Sequence, residues 1–198
     1  MNRPRSLVAT LVCFCTMSVF SQEPPGDFAG RLVRAAIERT SHDVVYDGSY
    51  WQIDYPGGDV PAGIGICMDV VIRAYRAVGV DLQRLIHEDM TAEFSAYPTI
   101  WGLTRPDPNI DHRRVPNLQV FFTRRGTKLL ASRDPNDYRL GDLVTWMLPG
   151  NLTHIGFVTN HRSAGGSGPL VVHNIGAGPK LEDVLFEFPI TGHYRYEG

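Results

Sequence analysis

The spacing of apolar residues divides the chain into a helical first part and a strand-rich last third. Apolar positions at helical intervals predict a helix over residues 28–41, with Asp27 as its N-cap. A second helix is predicted to begin at Cys67, where a glycine-rich loop gives way to an apolar stripe, and to end near Gly79. Cys67 therefore lies at the start of the buried face of this helix.

Two more helices are predicted in the middle of the chain. Asp81 is a suitable N-cap for a helix that ends before Pro98, and Pro116 is suited to the first turn of a short helix that Gly126 ends. Between the two prolines the chain is polar and irregular, as functional loops often are. We interpret residues 82–138 as an insert, either a lid that sets specificity or a subdomain that only adds packing.

The last third contains short runs of β-branched and aromatic residues between turns rich in glycine and proline. Five strands are predicted, over residues 142–147, 154–159, 170–173, 184–188 and 194–196. Helices followed by a mostly antiparallel sheet indicate an α+β fold.

The N-terminus has the pattern of a secretory signal, because two arginines precede an apolar run too short to span a bilayer comfortably. We predict a signal peptide over residues 1–21 and one mature domain over residues 22–198, located in the periplasm or secreted. An uncleaved membrane anchor is the alternative. No later segment is long and apolar enough to span a membrane.

Cleavage would leave Cys67 as the one cysteine, because Cys13 and Cys15 lie in the signal, so no internal disulfide is expected. It would also remove two of the 19 basic and none of the 21 acidic residues, which changes the formal charge from −2 to −4. This balance argues against a nucleic-acid partner. The mature length suits one domain, and we expect a monomer.

Cys67 and two histidines are the candidates for chemistry. A helix N-terminus favours a thiolate, and its N–H groups can also stabilise an oxyanion, although a lone cysteine can equally be a small buried side chain. His154 is predicted to open one strand and His173 to close another, so the two meet if the strands pair. A base with an orienting partner is what a cysteine nucleophile needs. Either histidine alone can be structural.

Several motifs in this order resemble the NlpC-type branch of the papain-like superfamily, exported cysteine peptidases and amidases that act mostly on bacterial cell-wall peptides. The matching pieces are VVYDGSY, GICMDVVIRAYRAVG, LGDLVTW, HIGFVTN and VVHNIGAG. Nearly the whole mature chain looks like the uncharacterised bacterial domain-of-unknown-function 1287 family, through YPGGDVP, HEDM, DHRRVPNLQVFF, LPGNLTHIG and VVHNIGAGP.

The resemblance implies a papain-like fold in which the helix that carries the nucleophile packs on the sheet. Cys67 matches the nucleophile, His154 the general base and His173 the residue that orients the base. Tyr46 matches the tyrosine that lines the nucleophile, with Tyr55 as the alternative. Asp142 would cap the turn before its strand.

The chain departs from many relatives around the nucleophile, where it has Ile-Cys-Met-Asp in place of Asp-Cys-Ser-Gly, and this leaves the substrate open. Asp69 is interpreted as a helix cap or a charge near the thiol. Asn174 is interpreted as a turn residue, with contact to substrate or to the base as the alternative. His112 and Arg113 either bind a substrate carboxylate or belong to a solvated loop with local salt bridges.

We therefore expect a cysteine hydrolase that cleaves an amide bond in peptidoglycan stem peptides or another peptide, without a cofactor or metal. A non-catalytic cell-wall peptide-binding module on the same frame is the main alternative, and an acyl transferase uses the same residues. A weaker hypothesis is a metal-dependent hydrolase that uses His112, His154 and His173.

Overall fold

The computed structural model describes residues 28–165 and 168–198. The predicted signal peptide and the predicted N-cap Asp27 lie outside these residues. Four helices precede most of the sheet: α1 (Phe28–Glu38), α2 (Cys67–Ala77), α3 (Leu82–Ala92) and α4 (Val115–Arg125). Within the described residues, no helix has the length and apolar character needed to cross a bilayer.

The helix boundaries follow local signals in the sequence. Helix α2 ends at Ala77, and Gly79, two residues further on, has a φ of +87°, a conformation that glycine adopts without strain. The carboxylate of Asp81 accepts a hydrogen bond from the backbone N–H of Arg84 and caps α3, as predicted. Helix α4 begins one residue before the predicted Pro116 and ends at Gly126.

Two short strands, β1 (Val45–Tyr46) and β2 (Ile64–Gly65), form a separate parallel pair. The strands of the main sheet are β3 (Thr127–Leu129), β4 (Leu143–Leu148), β5 (Leu152–Arg162), β6 (Pro169–His173), β7 (Lys180–Glu182) and β8 (Ile190–Arg195). These six strands are antiparallel and lie in the order β3-β8-β4-β5-β6-β7. The predicted α+β class is confirmed.

The predicted strand over residues 184–188 is wrong. The strand that pairs with β6 is the shorter β7, and residues 184–188 form a turn that packs under the sheet beside Trp146. Leu185 is buried there, and its backbone carbonyl accepts a hydrogen bond from the indole N–H of Trp146. The apolar residues of this segment therefore serve a small core cluster. Strand β3 was also missed, and β5 begins at Leu152, two residues before His154.

The larger core lies between the helices and one face of the sheet. Helix α2 is its centre, with Val71, Ala74 and Tyr75 fully buried. Both α3 and α4, which belong to the segment 82–138, contribute buried side chains to the same core. Because the start of α2 packs against β5, this core holds Cys67 beside the strand that carries His154.

Candidate functional site

Cys67 is the first residue of α2 and is only 2% exposed. The preceding Ile66 has an extended backbone, and its N–H donates to the Asp69 carboxylate at 2.7 Å, which fixes the start of the helix. The Cys67 Sγ lies 3.1 Å from the Met68 Sδ. The cysteine predicted to start a helix does so, but its thiol is covered.

The pKa of the Cys67 thiol is raised to about 12, mainly by burial and in smaller part by the charge of Asp69. The backbone N–H groups of Ile155, Met68 and Cys67 itself act in the opposite direction, as donors at a helix start should, but they do not outweigh the loss of water. The helix start thus acts on the thiol in the expected direction, but burial outweighs its effect. At neutral pH the group is a thiol.

Strands β5 and β6 bring the two predicted histidines together. The Nε2 atom of His154 lies 3.1 Å from Nδ1 of His173, and both side chains are almost fully buried. The register pairs Phe157 with Val172, so Gly156 faces His173 across the two strands. A Cβ on Gly156 would lie 2.7 Å from the backbone oxygen of Val172 and 3.0 Å from the Cβ of His173. Glycine is what allows the second histidine to approach.

Both imidazoles are held neutral. The pKa of His154 is lowered to about 3, mainly by burial and in smaller part by the neighbouring His173. Burial also lowers the pKa of His173, although the Glu182 carboxylate opposes this shift. A neutral imidazole keeps one nitrogen lone pair free to accept a proton.

The peptide group between His154 and Ile155 lies beside the thiol. Its N–H, which belongs to Ile155, is directed at the Cys67 sulfur. The His154 ring itself packs on Trp146, with ring centroids 5.7 Å apart. Among the described residues, the thiol contacts Met68 rather than forming a hydrogen bond to the His154 ring. Such bonds are often absent before substrate binds.

Of the two candidate tyrosines, Tyr46 is the one beside the thiol. Burial raises the pKa of Tyr46 to about 12, and charges on Cys67 and Asp69 add to the shift. Tyr55 instead packs its ring on His87 of α3, with ring centroids 4.9 Å apart. The preferred assignment of Tyr46 thus agrees with the geometry.

Arg113 is not in a solvated loop, and it is not free to bind a substrate. Its side chain is fully buried and forms two hydrogen bonds of 2.9 Å to the Asp69 carboxylate. It also donates to the backbone oxygens of Ser49 and Asp47. Both interpretations offered for Arg113 from the sequence are wrong, because its donors are occupied by this pair and by the segment that carries Tyr46.

Asp69 therefore has two structural roles, as the cap of α2 and as the partner of Arg113. Sequence reasoning missed the second role, since the two residues are 44 positions apart. Each is a buried charge that needs a partner. The pair connects the helix of Cys67 to the backbone that directly follows Tyr46.

His112 and Asn174 contribute to the structure around the site. His112 is buried, its Nδ1 has no hydrogen-bond partner, and burial lowers its pKa to about 3. The Asn174 side chain accepts from the backbone N–H of Gly176 and donates to the backbone oxygen of Gly65, which makes it the turn residue that was expected. In residues 28–165 and 168–198, no three acidic, cysteine or histidine side chains are grouped to hold a metal ion.

The fold and the site define an α+β domain with a buried cysteine at a helix start, next to a pair of strand histidines. The chain belongs to the family described as Domain of unknown function (DUF1287), which residues 33–196 match. It is 52% identical over 165 residues to the "Uncharacterized protein YijF" of Escherichia coli (strain K12), covering 83% of this chain and 80% of that protein.

Proposed function

We propose that the protein is an exported thiol hydrolase of the papain-like, NlpC type that cleaves an amide bond in peptidoglycan stem peptides. The proposal is carried by two observations: the N–H of Ile155, the residue after His154, is directed at the Cys67 sulfur, and ring nitrogens of His154 and His173 lie 3.1 Å apart. A thiol, a neutral imidazole and a second imidazole that orients the first are the groups that acyl transfer requires.

In the proposed reaction, His154 accepts the proton of the Cys67 thiol as the sulfur attacks the substrate carbonyl. The N–H groups now directed at the sulfur can stabilise the negative charge that develops. The amine leaves with the proton from His154, and water then hydrolyses the thioester. The Cys67 thiol is buried against Met68 at rest, so substrate binding must separate the two side chains before the sulfur can attack.

The test is incubation of the protein with whole sacculi, followed by mass spectrometry of the released fragments. We expect Cys67→Ala and His154→Ala to abolish release. His161→Ala is the matched control, because His161 lies on the same strand but is exposed. Release by Cys67→Ala at the wild-type rate would overturn the proposal.

A second candidate is a cell-wall peptide-binding module without turnover. The raised pKa of the Cys67 thiol and the lowered pKa of His154 favour it, because neither group is activated at rest. Binding of soluble stem peptide that is equal in wild type and Cys67→Ser, with no product by mass spectrometry, would support this candidate over the hydrolase.

A further inference from the structure

The second ring nitrogen of His173 has one polar neighbour that the proposed site does not yet use. Nδ1 of His173 faces His154, while Nε2 is buried and makes no well-aligned hydrogen bond within the described residues. A carboxylate oxygen of Glu182 lies 3.1 Å from this Nε2. This distance suits a hydrogen bond, but the carboxylate and the N–H are not aligned for one. A 43% exposed carboxylate can turn into line with this nitrogen without disturbing the core.

The sheet register places Glu182 there. Strand β7 pairs Lys180 with His173 and Glu182 with Val171, so the carboxylate lies diagonally across from the histidine on neighbouring strands. Glu182 also lines an open cavity of about 640 Å³. The buried imidazole pair is thus connected to solvent through one acidic side chain.

We propose that Glu182 is a positioning residue that fixes the tautomers of both histidines. An ionised carboxylate only accepts hydrogen bonds, so His173 must carry its proton on Nε2. Its Nδ1 then accepts from His154, which carries its proton on Nε2. The lone pair of His154 is thereby left on Nδ1. The inference rests on the proposed function in one respect, that this lone pair is the one that takes the thiol proton.

Without Glu182, the opposite arrangement becomes available. His173 can carry its proton on Nδ1 and donate it to His154 Nε2, which then places the His154 proton on Nδ1. In that state His154 has no lone pair left for the thiol. In serine proteases, a base held in the wrong tautomer loses several orders of magnitude in rate. Glu182 acts one residue further away, so we expect a loss of about 10- to 100-fold in kcat with KM unchanged.

The direct test is ¹⁵N NMR of the imidazole nitrogens in the folded protein, which identifies the protonated nitrogen of each ring without any substrate. In wild type we expect both His154 and His173 to be protonated on Nε2. Glu182→Leu should shift both rings toward Nδ1 protonation, whereas Glu182→Gln, which keeps an acceptor oxygen, should retain more of the wild-type form. Glu187→Gln is the control, because Glu187 lines the same cavity and should change neither ring.

Unchanged tautomers in Glu182→Leu would overturn the inference whether or not the protein is a hydrolase. Tautomer shifts in Glu187→Gln as large as those in Glu182→Leu would also overturn it. Shifted tautomers in a protein that releases no fragments from sacculi would keep Glu182 in its positioning role and reject the hydrolase. A change in KM alone in Glu182→Gln would indicate a substrate contact and contradict the positioning role.

Discussion

Two groups of buried histidines lie on the same sheet, and they differ in what surrounds the ring nitrogens. His193 has an oxygen at each nitrogen, the backbone carbonyl of Leu130 at 3.0 Å and the carboxylate of Asp142 at 2.8 Å. The same carboxylate also accepts two hydrogen bonds from Arg195. We call Asp142, His193 and Arg195 the Asp142 cluster.

The His154–His173 pair has no buried carboxylate. The acid beside it is the partly exposed Glu182, 3.1 Å from His173 Nε2. A histidine whose nitrogens are both occupied can only hold the structure together, whereas a neutral pair with a free lone pair can move a proton. The hydrogen-bond partners of a buried histidine therefore indicate its role better than its burial does.

The largest effect is expected in the reactivity of Cys67. With a thiol pKa raised to about 12, the thiolate fraction at neutral pH is far below that of an ordinary cysteine. Alkylation by iodoacetamide at pH 7 should therefore be roughly 1000-fold slower in the folded protein than in urea. The measurement is the rate of mass increase of the intact protein. Equal alkylation rates in the folded protein and in urea, together with a folded-state rate that stops rising with pH below pH 7, would contradict a closed site with a neutral thiol.

Next in size is the cost of breaking the Asp142 cluster. Asp142→Ala leaves His193 and Arg195 without their shared carboxylate in a buried position, which should lower the free energy of unfolding by about 3–5 kcal/mol. Urea denaturation measures it. Glu88→Gln is the control, because it removes an acid from an exposed ion pair with Arg84 and should leave the free energy of unfolding nearly unchanged. If Asp142→Ala and Glu88→Gln lowered the free energy of unfolding by the same small amount, the Asp142 cluster would not stabilise the fold.

The smallest expected effect is the stability that buried His112 loses for the protein in acid. The pKa of His112 is about 3 in the folded state, below its unfolded value, so the unfolded chain binds more protons as pH falls below about 6.5. Its contribution to stability is present above that pH and is lost toward pH 3. Between pH 7 and pH 5, wild type should lose about 2 kcal/mol more than His112→Leu in the free energy of unfolding.

Urea denaturation at the two pH values provides this measurement. Exposed His161→Leu should behave like wild type. Equal losses in wild type and His112→Leu would show that burial without a carboxylate does not hold this imidazole neutral.

The parts of the fold that depend on nearby residues could be predicted from the sequence. The start of α2 at Cys67, the cap at Asp81 and the end of β6 at His173 each follow from signals within a few positions. Asp142 caps its turn as expected, accepting from the backbone N–H of Arg139 at 2.8 Å. Its bonds to His193 and Arg195 were not foreseen, because those residues lie more than 50 positions away.

The features that set the electrostatics of the site could not be predicted. The Asp69–Arg113 pair joins distant segments, and the Glu182–His173 contact depends on strand β7, which the sequence pattern placed at residues 184–188 instead. The sign of the thiol pKa shift also depends on burial, which the helix start alone does not reveal. Position in a helix indicated where Cys67 would be, and packing decided its protonation state.

The most direct test of the central claim is whether Cys67 becomes covalently acylated. Wild-type protein is mixed with peptidoglycan stem peptides, quenched in acid and digested, and the peptide that contains Cys67 is weighed by mass spectrometry. We predict a thioester adduct on Cys67, absent from His154→Ala, together with release of the amine product. Release of product by a Cys67→Ala variant, or by wild type without any adduct on Cys67, would contradict the account.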